Sequence, residues 1–232
     1  MSTLLSHVDT VTFDLDDTLW DNKPVIKHAI NVAEHHLNTQ NPNGPLSTEA
    51  LAVARQNVID KQPLLAFDLT QLREALYTEA LQSSGTSSSQ ASEIAAKATQ
   101  LFMQERCKVT PFDTAIQMLE ALHGSYRIGA ISNGNCQFDR LAISRYFDFW
   151  ITPLEAKAAK PDPEIYHYVA NRFNLKPNNT LHIGDCLNND INAANKAGYL
   201  TGWFNPEQQS VEHNATIEFH CLLDLPKSLT AN

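Results

Sequence analysis

The chain has 232 residues, of which 43% are hydrophobic and 19% charged, a composition typical of proteins that bury a core. Its 26 acidic residues outnumber its 17 lysines and arginines and give a formal net charge of −9, which argues against nucleic acid and anionic membranes as partners. No apolar run is long enough to cross a bilayer, and the start lacks the features of a signal peptide. We therefore expect a cytoplasmic protein; nothing in the sequence favours one oligomeric state.

The first predicted element is a buried strand from Val8 to Asp14, rich in β-branched residues and closed by a cluster of acids. From Pro24 to about Cys107 the apolar residues recur with helical spacing, which predicts four helices. The serine-rich stretch Ser83 to Ser92 separates two of these periodic segments. We interpret it as a loop within one helical bundle.

After Pro111, predicted helices and strands alternate. The predicted strands cover residues 126–132, 147–151, 180–184 and 199–204, with a short one near 216–219. Such alternation predicts an α/β fold with a doubly wound parallel sheet. We expect a catalytic core of residues 1–22 and 108–232, and an all-helical cap of residues 23–107 inserted between strands one and two.

Acids follow two of the predicted strands. Asp14 and Asp16 come after the first, and Asp185 and Asp190 follow the strand over residues 180–184. The carboxyl ends of parallel strands meet at one edge of a sheet, so both clusters should lie together. Crowded carboxylates repel one another unless a cation lies between them, and an all-oxygen ligand set favours Mg²⁺ over Zn²⁺.

Two further segments belong at the same edge. They are Ser132-Asn133-Gly134 and Lys160-Pro161. Together with the acids they supply a hydroxyl, free backbone amides and an ammonium group. This set suits phosphoryl transfer, in which a carboxylate attacks, cations neutralise the phosphoryl oxygens and hydrogen-bond donors hold the group in line.

These four segments resemble the four motifs of the haloacid dehalogenase superfamily of hydrolases, and the helical insert stands where that family has its first cap. Residues 13–26, 131–137, 181–185 and 202–207 are more specifically similar to bacterial phosphatases that act on flavin mononucleotide and on the phosphorylated ribitylaminouracil of riboflavin synthesis. The resemblance implies a Mg²⁺-dependent phosphatase with a small-molecule substrate.

The resemblance also implies roles for the acids. Asp14 is the nucleophile and forms an aspartyl-phosphate, while Asp16 is the general acid and then the general base. The Mg²⁺ ligands are Asp14, the backbone carbonyl of Asp16 and Asp185, with Asp190 in support. Environment can drive neighbouring carboxylates to different protonation states, as this division of roles requires.

The remaining implied roles belong to Ser132 and the Asn133 amide, which bind phosphoryl oxygens, and to Lys160, which neutralises charge. Trp20 follows the acid loop and either packs in the core or stacks on a flat substrate ring. The cap is expected to cover the catalytic edge and exclude macromolecules.

The reaction class has alternatives. Asp16 favours phosphate ester hydrolysis, because the dehalogenases of this superfamily attack carbon and need no proton donor two residues after the nucleophile. A sugar-phosphate or nucleotide phosphatase of the same superfamily is the alternative to a flavin-related substrate. A non-catalytic phosphate-receiving or binding protein is a remote alternative, which release of phosphate from p-nitrophenyl phosphate would exclude.

Overall fold

The computed structural model describes residues 5–230; residues 1–4 and 231–232, the two ends of the predicted core, lie outside it. The chain forms two compact units. One contains the chain up to Asp21, Thr110–Gly134 and the residues from Phe138 onward, and the other contains Asn22–Val109 and Asn135–Gln137. The predicted boundaries after residues 22 and 107 fall close to these divisions. The role of the helical unit as a lid stays a prediction.

The first unit is built on one sheet of six parallel strands in the order β3-β2-β1-β4-β5-β6. The strands are β1 (Thr10–Phe13), β2 (Arg127–Ile131), β3 (Phe149–Ile151), β4 (Thr180–Gly184), β5 (Leu200–Phe204) and β6 (Ile217–Phe219). Every residue of the central strands β1 and β4 is buried, as expected when helices cover both faces of a parallel sheet. The predicted α/β, doubly wound parallel sheet is confirmed.

The second unit is helical. Its helices are α1 (Asn22–Gln40), α2 (Thr48–Lys61), α3 (Leu69–Ser83) and α4 (Ser88–Arg106), with a 3₁₀ turn at Pro63–Phe67. Small residues on α1 and α4 let these helices pack closely around Leu37, Leu81 and Phe102. No helix within residues 5–230 is both long enough and apolar enough to span a membrane.

The serine-rich stretch is not one loop. The predicted connection between two helices of one bundle is present, but it is shorter than Ser83 to Ser92, because α3 continues to Ser83 and α4 already begins at Ser88. Serine is common at helix ends, where its hydroxyl can satisfy backbone groups, so composition alone does not distinguish a loop from a pair of helix ends.

Within residues 5–230, the core unit adds five α-helices to the sheet. They are α5 (Asp113–Leu122), α6 (Pro153–Ala156), α7 (Glu164–Phe173), α8 (Ala193–Lys196) and α9 (Asp224–Thr230). The helix after β4 begins as a wider π-helical segment, Leu187–Asn192, before it continues as α8. That wide turn follows β4 directly and carries Asp190.

Candidate active site

The acid loop begins where β1 ends. The backbone N–H of Asp14 still donates to the carbonyl of Ile183, at 2.8 Å, so Asp14 remains in register with β4. The chain then turns at Asp17, whose φ of 63° is left-handed, a conformation that aspartate tolerates better than most residues. The turn leaves Asp14 buried and Asp16 partly exposed. The two carboxyl groups therefore have different surroundings although one residue separates them.

Lys160 lies between two carboxylates. Its Nζ is 2.5 Å from Asp14 Oδ1 and 2.7 Å from Asp190 Oδ1. The side chain is only 2% exposed, so its charge depends on these two carboxylates for compensation. The ammonium group thus neutralises part of the negative charge at the centre of the site.

Asn133 holds the backbone of Lys160 through its side chain. Its Nδ2 donates to the Lys160 carbonyl at 2.8 Å, and its Oδ1 accepts from the Lys160 N–H at 2.9 Å. Beside it, the buried Ser132 hydroxyl accepts from the Gly134 N–H at 3.0 Å. The predicted roles of Ser132 and of the Asn133 amide in phosphate binding stay predictions. The two hydrogen bonds from the Asn133 side chain to the Lys160 backbone are a further contact that the motif does not indicate.

Thr18 ties the acid loop to the second acid cluster. Its Oγ1 donates to Asp185 Oδ1 at 3.0 Å and accepts from the Asp185 N–H at 3.1 Å. The indole Nε1 of Trp203, on β5, donates to the carbonyl of Asp185 at 2.9 Å. Three bonds from two neighbouring segments therefore fix Asp185 at the end of β4.

Asp190 is completely buried, and both of its carboxylate oxygens have partners. Oδ1 accepts from Lys160, while Oδ2 accepts from the N–H of Cys186 at 3.1 Å. One oxygen each from Asp14, Asp185 and Asp190 lie within 4.8 Å of one another. The three predicted metal-ligand carboxylates are thus brought together, and their oxygen donors fit a hard divalent cation such as Mg²⁺.

The protonation of this cluster reflects crowding. Burial raises the pKa of Asp14 above its ordinary value, although Lys160 opposes the shift. Burial and the charge of Asp190 raise the pKa of Asp185 to about 6. Burial acts on Asp190 in the same sense, but Lys160 and His182 outweigh it and hold the pKa of Asp190 at about 2. The cluster carries more negative charge than Lys160 neutralises, a conflict that a divalent cation removes.

His182 is a site residue that the sequence motifs do not indicate. On β4 it is fully buried, with Nδ1 2.9 Å from Thr12 Oγ1 and Nε2 3.4 Å from Asp190 Oδ1. Burial lowers the pKa of His182 and favours the neutral ring, which donates from Nε2 to Asp190 and accepts at Nδ1 from Thr12. One signal for His182 was available in the sequence. It is a polar residue between Leu181 and Ile183, in a strand predicted to be buried, and a buried polar group needs partners.

Trp20 contacts the other acid of the loop. Its side chain is fully buried, and its Nε1 donates to Asp16 Oδ1 at 3.0 Å. Burial agrees with the core-packing alternative of the sequence prediction. Contact between Trp20 and a substrate ring stays a prediction.

Gly184, the last residue of β4, lies against Asp190. A Cβ at this position would meet Asp190 Cγ at 2.3 Å and Asp190 Cβ at 2.5 Å. We expect Gly184→Ala to displace the Asp190 carboxylate and to weaken Mg²⁺ binding about tenfold or more, the scale of changes that disturb the groups supporting metal ligands. Isothermal titration calorimetry with Mg²⁺ measures this.

Gly129→Ala is the matched control. Gly129 is also a strand glycine, and a Cβ there would meet the Phe149 ring at 2.2 Å, away from the acids. It should lower the melting temperature while leaving Mg²⁺ affinity close to that of the wild type. Equal loss of Mg²⁺ affinity in both variants would attribute the effect to general loss of packing.

Comparisons of sequence identify relatives over nearly the whole chain. A sequence model of the haloacid dehalogenase-like hydrolases matches residues 8–198. The chain is 30% identical over 204 residues to the 5-amino-6-(5-phospho-D-ribitylamino)uracil phosphatase YigB of Escherichia coli strain K12, covering 88% of this chain and 86% of YigB. It is 26% identical over 216 residues to the human N-acylneuraminate-9-phosphatase, covering 87% and 84%. The phosphatase predicted from the sequence agrees with these relatives.

Comparison of structures identifies the same family. A crystal structure of a 2-haloacid dehalogenase from Pseudomonas syringae pv. Tomato DC3000 superposes with a TM-score of 0.90 at 32% identity, covering 96% of this chain and 98% of that one. A HAD phosphatase from Thermococcus onnurineus gives a TM-score of 0.64 at 20% identity, covering 97% and 99%, which shows the fold alone. The predicted resemblance is confirmed, and the chain is an enzyme that belongs to the haloacid dehalogenase-like hydrolase family.

Proposed function

We propose that this hydrolase is a Mg²⁺-dependent phosphomonoesterase that transfers the phosphoryl group of a small metabolite to water through Asp14. The observation that supports this most is the pairing of two different acids at one strand end. Asp14 is buried against the Lys160 ammonium, whereas Asp16 is partly exposed two residues later. The Lys160 ammonium favours the ionised form that a nucleophile needs, and the partial exposure of Asp16 allows it to exchange protons with the substrate and with water. Two of the relatives are phosphatases, which supports the reaction class.

In the first step a carboxylate oxygen of Asp14 attacks phosphorus while the bond from phosphorus to the ester oxygen breaks. The product is an aspartyl-phosphate and a free alcohol. The Lys160 ammonium, fixed on Asp14, neutralises charge that develops on the phosphoryl oxygens. The Ser132 hydroxyl and the Asn133 amide donate hydrogen bonds to the same oxygens.

Asp16 moves the protons. It donates one to the leaving ester oxygen in the first step and becomes a carboxylate. In the second step it removes a proton from the water that attacks the aspartyl-phosphate, which regenerates Asp14 and releases phosphate.

Asp14 and Asp185, with the backbone carbonyl of Asp16, would hold Mg²⁺. Both oxygens of Asp190 already accept hydrogen bonds, which fits the supporting role predicted for it. When bound, the ion supplies positive charge that favours the ionised form of Asp14 and attracts phosphoryl oxygens.

Release of phosphate from p-nitrophenyl phosphate tests the proposed reaction class. We expect turnover in Mg²⁺, its loss with excess EDTA, and its recovery when Mg²⁺ is restored. Absence of phosphate release from this ester and from a range of natural phosphate esters, with Mg²⁺ present and the protein folded, would refute the proposal.

Asp16→Asn separates the two acids. The variant keeps the backbone carbonyl, so Mg²⁺ affinity should change little. The kcat/KM should fall about tenfold more for an alkyl phosphate than for p-nitrophenyl phosphate, because only the poor leaving group requires a proton. The kcat/KM of both substrates is measured for both proteins, because it reports the cleavage of the ester and not the later hydrolysis that all substrates share. An equal loss for the two esters would contradict the role of Asp16 as the acid.

The substrate proposed first is a flat heteroaromatic ribityl phosphate, either flavin mononucleotide or the phosphorylated ribitylaminouracil of riboflavin synthesis. Support comes from the segments that resemble those phosphatases and from the similarity to YigB. Sugar phosphates and nucleotides are the alternative. A panel of phosphorylated metabolites ranked by kcat/KM decides between them, and preference for a simple sugar phosphate would overturn the flavin-related substrate while leaving the phosphatase intact.

Dehalogenation is a second candidate activity, favoured by the Pseudomonas syringae 2-haloacid dehalogenase at a TM-score of 0.90. It also uses an aspartate nucleophile, but attack on carbon expels halide and needs no proton donor. The presence of Asp16 therefore favours the phosphatase. Measurement of halide release from 2-chloropropionate alongside phosphate release distinguishes the two, and halide release without phosphate release would support the dehalogenase.

A further inference from the structure

The acid Asp16 is held by a buried indole. Nε1 of Trp20 donates to Asp16 Oδ1 at 3.0 Å. The Trp20 side chain is 0% exposed, while Asp16 is partly exposed. The donor therefore lies on the buried side of the carboxyl group.

The local fold fixes this arrangement. The Asp17 N–H donates to the Trp20 carbonyl at 2.9 Å, which closes the turn between the two residues of the pair. The Leu19 N–H donates to the Leu15 carbonyl at 2.8 Å, and the Leu19 carbonyl accepts from the Phe112 N–H at 2.9 Å. The backbone is thus hydrogen-bonded at Trp20 and at the residue before it. Rotation of Trp20 toward a substrate would break buried contacts, whereas the bond to Asp16 is made in place.

An indole N–H is a donor and never an acceptor. The Asp16 oxygen that it contacts, Oδ1, can only accept in that bond. In a protonated carboxyl group the carbonyl oxygen is the better acceptor, so the bond from Trp20 favours Oδ1 as the carbonyl oxygen and Oδ2 as the oxygen that carries the proton. An unanchored carboxyl group would present either oxygen after rotation about its terminal bond, whose torsion is broad and roughly two-fold.

We propose that Trp20 is a positioning residue that makes Oδ2 of Asp16 the proton-carrying oxygen in both steps of the reaction; this rests on the phosphomonoesterase function proposed above. The Oδ2 proton passes to the ester oxygen as its bond to phosphorus breaks, leaving a carboxylate. Oδ2 then takes one proton from the water that attacks phosphorus, so the acid is restored. Trp20 exchanges no proton.

This role differs measurably from ring stacking. A residue that stacks on a flat substrate affects the KM of that substrate and leaves small esters unchanged. A residue that orients the acid affects kcat, and affects it most for esters with poor leaving groups, whichever ring they carry.

The test is Trp20→Phe, which keeps an aromatic side chain and removes the N–H donor. We expect kcat for an alkyl phosphate to fall by roughly ten- to a hundredfold, as for small misplacements of a reacting group, with a smaller loss for p-nitrophenyl phosphate and little change in KM. In the Asp16→Asn background, Trp20→Phe should cause no further loss, because the acid it orients is gone. Trp150→Phe, at a partly exposed tryptophan of the edge strand β3, is the control.

Equal losses for both esters, or additive losses in the double variant, would overturn the proposal. A rise in KM confined to flavin mononucleotide would overturn it in favour of stacking. If Trp20→Phe does not fold, site-specific replacement of Trp20 by benzothienylalanine, which keeps the shape and replaces N–H by sulfur, gives the same comparison. Failure of the phosphatase function itself is a separate result, since the wild type would then release no phosphate from any ester.

Discussion

Asp14→Asn should lower turnover of p-nitrophenyl phosphate by ~10³-fold or more, the scale observed when a nucleophile is removed. The amide has nearly the shape of the carboxylate but lacks the charge that attacks phosphorus. It also offers a weaker ligand to Mg²⁺. Steady-state kinetics in saturating Mg²⁺ measures the loss, and mass spectrometry excludes deamidation back to aspartate.

The large loss of activity in Asp14→Asn should not be accompanied by a large loss of stability. Because burial raises the pKa of Asp14, this carboxyl group lowers the stability of the Mg²⁺-free protein at any pH above its ordinary pKa. Replacement by a neutral amide removes this cost, although it also removes a partner of Lys160. We expect a melting temperature near that of the wild type without Mg²⁺ and a smaller rise when Mg²⁺ is added. Asp139→Asn, at an exposed acid, is the control and should keep full activity. Near wild-type turnover by Asp14→Asn would refute the assignment of Asp14 as the nucleophile.

Lys160→Met should reduce turnover by about 10²- to 10³-fold, the effect expected when one preorganised positive group is removed from a transition state. Methionine keeps the length of the side chain and removes its charge. Asp14 and Asp190 would then face each other without the ammonium that lies 2.5 and 2.7 Å from them. Breaking a buried ion pair in this way costs about 3–5 kcal/mol of stability, measured as the free energy of unfolding without Mg²⁺.

Two comparisons make this prediction specific. Lys61→Met removes an exposed lysine whose Nζ lies 3.0 Å from Glu79, and an exposed pair contributes about 0–1 kcal/mol. Adding Asp14→Asn to Lys160→Met should recover part of the lost stability, because the uncompensated charge is removed with it. A stability loss no larger than that of Lys61→Met would contradict the buried charge arrangement described here.

The order of elements along the chain was predictable because strand and helix periods differ and because acids mark strand ends. The strand over Thr180–Gly184 was predicted at its observed bounds, between the turn at Pro177 and the acid Asp185. The meeting of Asp14 with Asp185 followed from a general property of parallel sheets, and the structure places their carboxylates together. Topology thus carries information about the site that spacing in the sequence does not.

Contacts that depend on side-chain orientation were not predictable. Asn133 was predicted to bind phosphate through its amide, but nothing in its spacing indicates the two side-chain bonds to Lys160. The contact between His182 and Thr12 was not predictable for the same reason, since only the pairing of β1 with β4 brings Thr12 to the His182 ring. The bond between Trp20 and Asp16 forms across a left-handed turn at Asp17. Such a turn is difficult to predict at a residue other than glycine.

The central position of β1 has a consequence for how the chain folds as it is synthesised. Thr10 pairs with Arg127 on one side and with Thr180 on the other, so neither neighbour of β1 exists when that strand leaves the ribosome. The helical unit, whose residues are almost all contiguous, can form its own apolar core in the interval. Such long-range strand pairings form slowly, and an apolar strand that is still unpaired can associate with non-native segments. Asp14, the proposed nucleophile, therefore follows the strand that is synthesised first, and both neighbours of that strand are synthesised only later.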